Sequence, residues 1–141
     1  MLLNGVRVLD LTYAIAGPVG TVSLADLGAE VIKIEGPFAA ERTRVLEPDP
    51  GDGGSSKVIV GDIRFSTLHR NKKSAVLDLT KPRGKELFLD LVRVSDVVIE
   101  NYTLRVMPNF GLAYSVLEAA NPRIIMISMP GYGPDGPYKE Y

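Results

Sequence analysis

Apolar residues in this chain fall in short, nearly unbroken runs separated by segments with helical spacing. Val6-Arg-Val-Leu-Asp10, Glu30-Val-Ile-Lys-Ile-Glu35, Ser74-Ala-Val-Leu-Asp-Leu79, Asp96-Val-Val-Ile-Glu100 and Arg123-Ile-Ile-Met-Ile-Ser128 read as five strands. Strands that are apolar throughout, rather than alternating, belong to a parallel sheet covered on both faces. Between the first two runs, Val19, Val22 and Ala25 or Asp26 recur at helical spacing over Val19 to Leu27. Pro18 suits the first turn of that helix and Gly28 the position just past its end. Lys81 to Arg93 reads as a second helix, with Thr80 placed to cap it and Leu87, Leu91 and Val94 on one face. Two shorter helices follow, Arg105 to Phe110 stopped by Gly111 and Ser115 to Ala120 stopped by Asn121-Pro122.

Two segments break this rhythm. Residues 38–68 hold Pro48, Pro50, Gly51, Gly53, Gly54, Ser55 and Ser56 and read as a long turn-rich loop, with Val58-Ile-Val60 as a possible short strand. After the fifth strand the chain runs through Gly131-Tyr-Gly-Pro-Asp-Gly-Pro-Tyr138 to Tyr141, with no helix to follow. The expected architecture is α/β: a Rossmann-like open, mostly parallel sheet with helices on both faces, incomplete at the C-terminus. An open sheet without its later helices exposes apolar strand faces and an edge, so self-association or dependence on a partner is expected.

Composition narrows the chemistry. The 141 residues carry 16 Lys+Arg against 17 Asp+Glu, a net charge of −1 that gives no electrostatic case for nucleic acid. No cysteine is present, which removes disulfides, thiolate metal sites and thiol nucleophiles. The one histidine, His69, rules out a multi-histidine metal site. No apolar run approaches the roughly 20 residues that span a bilayer, and the N-terminus lacks the basic start and apolar core of a signal peptide. A cytoplasmic chain without membrane or nucleic-acid partners is the expectation.

Candidate chemistry collects where strands end, because ligands of open α/β sheets sit at the carboxyl ends of strands. Leu11-Thr-Tyr-Ala-Ile-Ala-Gly-Pro18 leads from the first strand into a helix N-terminus, which favours phosphate or carboxylate. The G-x-G-x-x-G pattern is absent: Gly17 and Gly20 are wrongly spaced, and they suit close helix–sheet packing instead. Glu35 resembles the ribose-binding acid of nicotinamide dinucleotide domains, yet without the glycine pattern an oxidoreductase reading is weak. His69 lies beside Arg70, Lys72 and Lys73 with no acid near it in sequence, so it reads as a surface or loop histidine. The cations could meet phosphates, or simply solvate a turn. Glu100-Asn101-Tyr102 offers hydrogen-bonding and stacking groups, and the last glycine-rich loop could approach a ligand or serve as a plain turn.

These blocks, in this order, resemble the N-terminal portion of the class III CoA-transferases of the CaiB/BaiF type. The resemblance rests on Leu3-Asn-Gly-Val-Arg-Val-Leu-Asp-Leu11, Ala16-Gly-Pro18 and Leu24-Ala-Asp-Leu-Gly-Ala-Glu-Val-Ile-Lys-Ile-Glu35. It continues in Asn71-Lys-Lys-Ser74, Leu77-Asp-Leu79, Gly84-Lys85, Asp96-Val-Val-Ile-Glu-Asn-Tyr102, Gly111-Leu112, Asn121-Pro-Arg123 and Gly131 to Tyr138. Little is matched over 38–64. The resemblance implies that residues 1–141 are the N-terminal part of a large Rossmann-like domain that, in the family, joins a smaller one.

It also implies an activity: moving coenzyme A between acyl-CoA and a small carboxylic acid through an aspartyl-CoA intermediate, with CoA as a substrate and no permanently bound cofactor. Contacts to CoA are implied at Ile15 and Ala16, at Leu77, Asp78, Leu79 and Thr80, at Asn101, Tyr102 and Thr103, at Asn109 and Phe110, and near Tyr141. Some relatives carry Gln at the Ile15 position, several carry Arg at Asn109, and an Arg after the second strand is replaced by Gly36. Phosphate recognition then falls to Arg42, Arg44, Lys72 or Lys73. The family's catalytic Asp lies beyond Tyr141, and Asp10, Asp26, Asp78 and Asp96 occupy other blocks, so no catalytic residue is assigned within the chain. The implied partner is a second copy in an interlaced dimer, or a complementary C-terminal segment. A non-catalytic CoA- or nucleotide-binding fragment and a 2-methylacyl-CoA racemase relative stand as alternatives.

Overall fold

A computed structural model describes residues 1–37, 46–48, 56–58 and 63–139. Its centre is β1 (Arg7–Asp10), followed by α1 (Ala16–Asp26) and β2 (Glu30–Glu35), which pairs with β1 in parallel so that Val8 lies opposite Val31 and Leu9 opposite Ile32. Gly28, at a φ of +101°, turns the chain out of α1, a conformation side chains resist. Two three-residue strands, β3 (Leu46–Pro48) and β4 (Ser56–Val58), pair antiparallel in a separate small sheet. Then come α2 (Ile63–His69), β5 (Lys72–Val76), α3 (Pro82–Arg93), β6 (Val97–Glu100), α4 (Val106–Asn109), α5 (Tyr114–Ala120) and β7 (Ile125–Ser128). The stretch 38–68 read as loop thus contains two strands and a helix among its described residues. Its remaining positions, including Ile59 and Val60, lie outside them.

The main sheet has the order β5-β2-β1-β6-β7 and every pair in it is parallel. The chain steps outward from β1 to β2 and β5, then crosses back to β6 and β7. Its direction of travel therefore reverses between β1 and β6. Alternation along the strands sends side chains to two cores. Val8, Val31 and Ile99 meet Ala25 and Ala29 on the α1 side. Leu9, Leu11, Ile34 and Val98 meet Phe88, Val92, Leu112 and Leu117 on the α3 and α5 side. Phe88, fully buried, contributes on the order of 2–3 kcal/mol by its removal from water.

Several expectations are corrected. β5 begins at Lys72 and ends at Val76, because its ladder runs only from Val31↔Lys72 to Glu35↔Val76, where β2 also ends. Leu77 to Leu79 therefore leave the sheet and turn across the strand tips. The buried stripe of α3 is Gly84, Phe88 and Val92, whereas Val94 is 58% exposed. Lys81, not Thr80, occupies the cap position of α3, because the Thr80 hydroxyl is bound to Asp78. At the far edge, Ile125, Ile127 and Met129 present one exposed apolar row along β7.

Candidate functional site at the carboxyl edge of the sheet

The strand tips are shaped by short carboxylate turns. After β1, the Asp10 Oδ1 accepts the Thr12 N–H at 2.9 Å and the Thr12 hydroxyl at 2.6 Å. After β5, Asp78 Oδ1 accepts the Thr80 N–H at 3.0 Å and its hydroxyl at 2.6 Å. After β6, Glu100 Oε2 accepts the Tyr102 N–H at 2.7 Å. Each turn satisfies an amide that the ending ladder leaves over.

A cleft of about 220 Å³ opens above the tips of β2, β5 and β6. Leu77, Asp78, Leu79, Thr80, Tyr102 and Phe110 line it, all expected from sequence, together with Ile34, Gly36 and Pro37 from the end of β2. Tyr102 and Phe110 meet edge to face at 6.4 Å. Aliphatic walls, two aromatic rings and a carboxylate–hydroxyl turn suit a planar heterocyclic base with polar edges. The Asp78 carboxyl is held below its ordinary value by the Thr80 hydroxyl and backbone N–H, so it faces the cleft as a carboxylate. No Lys or Arg is among the lining residues described, in keeping with glycine at position 36.

The other expected positions lie beside this cleft. Ile15, 67% exposed, and Ala16 sit where the β1 loop enters α1. The Asn101 side chain accepts the Tyr13 N–H and donates to the Tyr13 carbonyl, both at 2.9 Å. Thr103 accepts the Val106 N–H through its carbonyl, and Asn109 is exposed at the end of α4. Tyr141, Arg42 and Arg44 lie outside the described residues.

Beneath the β1 tip is a charge cluster that sequence reading did not single out. Asp10 is fully buried and its Oδ2 accepts Lys72 Nζ at 3.0 Å and the Thr21 hydroxyl at 2.7 Å. Lys72 Nζ also donates to the Pro18 carbonyl at 3.2 Å, and Lys33 Nζ donates to the Thr12 carbonyl. Burial alone would raise the Asp10 carboxyl, but the charges of Lys33 and Lys72 and the Thr12 and Thr21 hydroxyls outweigh it and hold it below 3.8. Lys72 is thus removed from the phosphate-binding candidates, since its side chain is 1% exposed. Lys73 remains at the surface, ion-paired with Glu30.

His69 is likewise not a surface residue. It is 9% exposed at the end of α2, with its ring 4.6 Å from that of Phe65. Burial, then the charges of Lys72 and Lys33, push it down to about 4, so it is neutral at pH 7. The expected helix–sheet packing holds for Gly17, where a Cβ would lie 2.2 Å from that of Thr12, but not for Gly20, which faces open space. The one sequence signal for the cluster was repetition: Asp-Leu-Thr occurs at both the β1 and the β5 tips.

Comparison with known proteins decides the family. A family model described as CoA-transferase family III matches residues 3–141. The chain belongs to that family. A succinyl-CoA:glutarate CoA-transferase of Homo sapiens is 40% identical to this family III chain over 138 residues, covering 98% of it and 30% of that protein. An acetyl-CoA:oxalate CoA-transferase of Acetobacter aceti is 40% identical over 138 residues, with 98% and 33% covered. A solved CAIB/BAIF family protein from Brucella suis matches with a TM-score of 0.82 at 37% identity, over 98% of this chain and 35% of that one. The family III chain therefore spans about a third of the length of these relatives. Among its described residues, no helix is long and apolar enough to cross a membrane, and no cluster of three or more His, Cys, Asp or Glu could hold a metal.

Proposed function

We propose that this chain is the coenzyme A-binding segment of a CoA-transferase acting on small carboxylic acids. The adenine of CoA occupies the cleft between Tyr102, Phe110 and the Asp78–Thr80 turn. The pantetheine arm crosses the tips of β1 and β6 past Ile15 and Ala16 and presents its thioester to a carboxylate outside these 141 residues. In the exchange, that carboxylate attacks the thioester carbonyl and the CoA thiolate leaves, forming a mixed anhydride. The thiolate attacks the enzyme-side carbonyl, releasing the donor acid and leaving an enzyme thioester. The acceptor carboxylate then attacks the enzyme thioester carbonyl and expels the CoA thiolate, giving a second mixed anhydride. The thiolate attacks its acceptor-side carbonyl, releasing the new acyl-CoA and restoring the enzyme carboxylate. The sum is R–CO–SCoA plus R′–COO⁻ giving R–COO⁻ plus R′–CO–SCoA. The chain's own contribution is positioning: holding the nucleotide end fixes where the thioester lies.

The observation that carries this reading is the cleft, because six positions implied by family resemblance and drawn from three separate sequence blocks converge on it. The relatives' names direct the choice of acids to dicarboxylates such as glutarate and oxalate. The exposed row Ile125, Ile127 and Met129 is the surface on which further chain or a second copy would pack. The test is an exchange assay on protein expressed from its whole reading frame, with succinyl-CoA or acetyl-CoA as donor and glutarate or oxalate as acceptor. Acceptor-dependent formation of a new acyl-CoA is expected. Absence of transfer together with absence of CoA binding would overturn the proposal.

A further inference from the structure

Where the chain reverses its direction of travel, the connections after two neighbouring strands run to opposite faces and leave a crevice at the carboxyl edge. Here that place lies between β1 and β6. Polar bonds from the Asn101 side chain bridge the crevice. Asn101, just past β6, accepts the Tyr13 N–H and donates to the Tyr13 carbonyl, so its amide pairs with the backbone much as a neighbouring strand would. The next residue, Ala14, holds a φ of +61°, a region that side chains other than glycine leave readily unless held. The Tyr13 ring stacks on Tyr102 at 5.7 Å, and Tyr102 is a wall of the cleft. A cleft of about 220 Å³ has room for a base and little more, so the rest of a long ligand must lie outside it, and the bridge adjoins the cleft through the Tyr13–Tyr102 stack.

We propose that Asn101 is a positioning residue: its amide holds the Tyr13–Ala14–Ile15 backbone against the β6 tip and so sets the path of the thioester-bearing arm across the sheet edge. The inference rests on the coenzyme A reading above. It assigns Asn101 a role through the loop rather than through direct contact with the nucleotide.

The experiment compares two ligands by calorimetry on protein expressed from its whole reading frame: coenzyme A, and adenosine 3′,5′-bisphosphate, which lacks the arm. Asn101→Ala is expected to weaken coenzyme A about tenfold, the scale of lost hydrogen bonds, and to change the bisphosphate by less than about twofold. Amide exchange of Tyr13 should quicken while that of Leu9 in β1 does not. Asn101→Asp keeps the acceptor for the Tyr13 N–H but loses the donor to its carbonyl. It should show the same selective loss, and it serves if the alanine variant does not fold. Equal weakening of both ligands, or unchanged coenzyme A affinity, overturns the positioning role. Wild-type protein that binds neither ligand overturns the coenzyme A reading itself and the inference with it.

Discussion

The tripeptide Asp-Leu-Thr ends in nearly the same turn at two strand tips, with hydroxyl-to-carboxylate distances of 2.6 Å at both Asp10 and Asp78. A glycine of the following helix lies against each. A Cβ on Gly17 would sit 2.2 Å from the Thr12 Cβ, and one on Gly84 would sit 2.0 Å from the Asp78 carbonyl oxygen. The surroundings differ. β1 is the central strand, so Asp10 is enclosed on every side and its charge is balanced by Lys72 and Lys33. β5 is an outer strand, so Asp78 stays open and becomes a wall of the cleft. Local turn chemistry follows from three residues. Whether the turn braces the fold or faces a ligand follows from the strand's place in the sheet.

The largest way to break this contrast is Lys72→Met, which leaves a buried carboxylate without the cation hydrogen-bonded to it. A loss of about 3–5 kcal/mol in urea unfolding is expected. Asp78→Asn should leave the unfolding midpoint almost unmoved and weaken coenzyme A instead. A small effect at Lys72 would mean that Asp10 is reached by water and that the two turns are alike.

Smaller effects are expected from the glycines. Gly17→Ala and Gly84→Ala should each cost about 1–3 kcal/mol, because the added carbon meets a turn that cannot retreat. Gly84→Ala should also lower coenzyme A affinity, since it displaces the cleft wall. Gly20→Ala, facing open space within α1, should instead stabilise by about 0.5–1 kcal/mol through helix propensity. Stabilisation by Gly17→Ala would contradict the close approach.

The buried cluster can also be sharpened by titration. His69 is the single histidine of these 141 residues, and its imidazole signals in NMR, assigned by their loss in His69→Gln, report on the cluster. The folded protein should titrate it near pH 4 rather than 6.5. Because the unfolded chain takes up that proton more readily, the stabilisation is complete above pH 6.5 and is lost as pH falls towards about 4. The Asp10 contribution behaves likewise lower down: it is present above about 3.8 and lost as pH falls through the folded value. Lys72→Met removes a repelling charge and should move the His69 titration upward. An imidazole titrating near 6.5 in the wild type would show that it is solvated and that the cluster is open.

Much of this was legible in the chain. The continuous apolar runs gave the parallel strands because both faces of β1, β2 and β6 are covered, and Gly28 and Gly111 marked helix ends where the backbone takes positive φ. Six of the cleft's lining residues, Leu77 to Thr80, Tyr102 and Phe110, were legible through family resemblance and strand polarity together, whereas Ile34, Gly36 and Pro37 were not. What was not legible depended on tertiary burial. Lys72 and His69 look solvated beside Arg70 and Lys73, yet α2 packs on α1, β5 pairs with β2, and the Lys72 side chain reaches across to Asp10, so both are enclosed. Leu77 and Leu79 look like strand because they are apolar, but turning over the tips buries Leu79 and half-buries Leu77, a context that hydrophobicity alone does not distinguish.

The most direct measurement is a hydrogen-exchange footprint of the protein expressed from its whole reading frame, with and without coenzyme A. The account predicts slowed exchange at residues 77–80, 101–103 and 13–16, with the buried strand β2 unchanged. Coenzyme A that binds by calorimetry while leaving those three segments unprotected would contradict it.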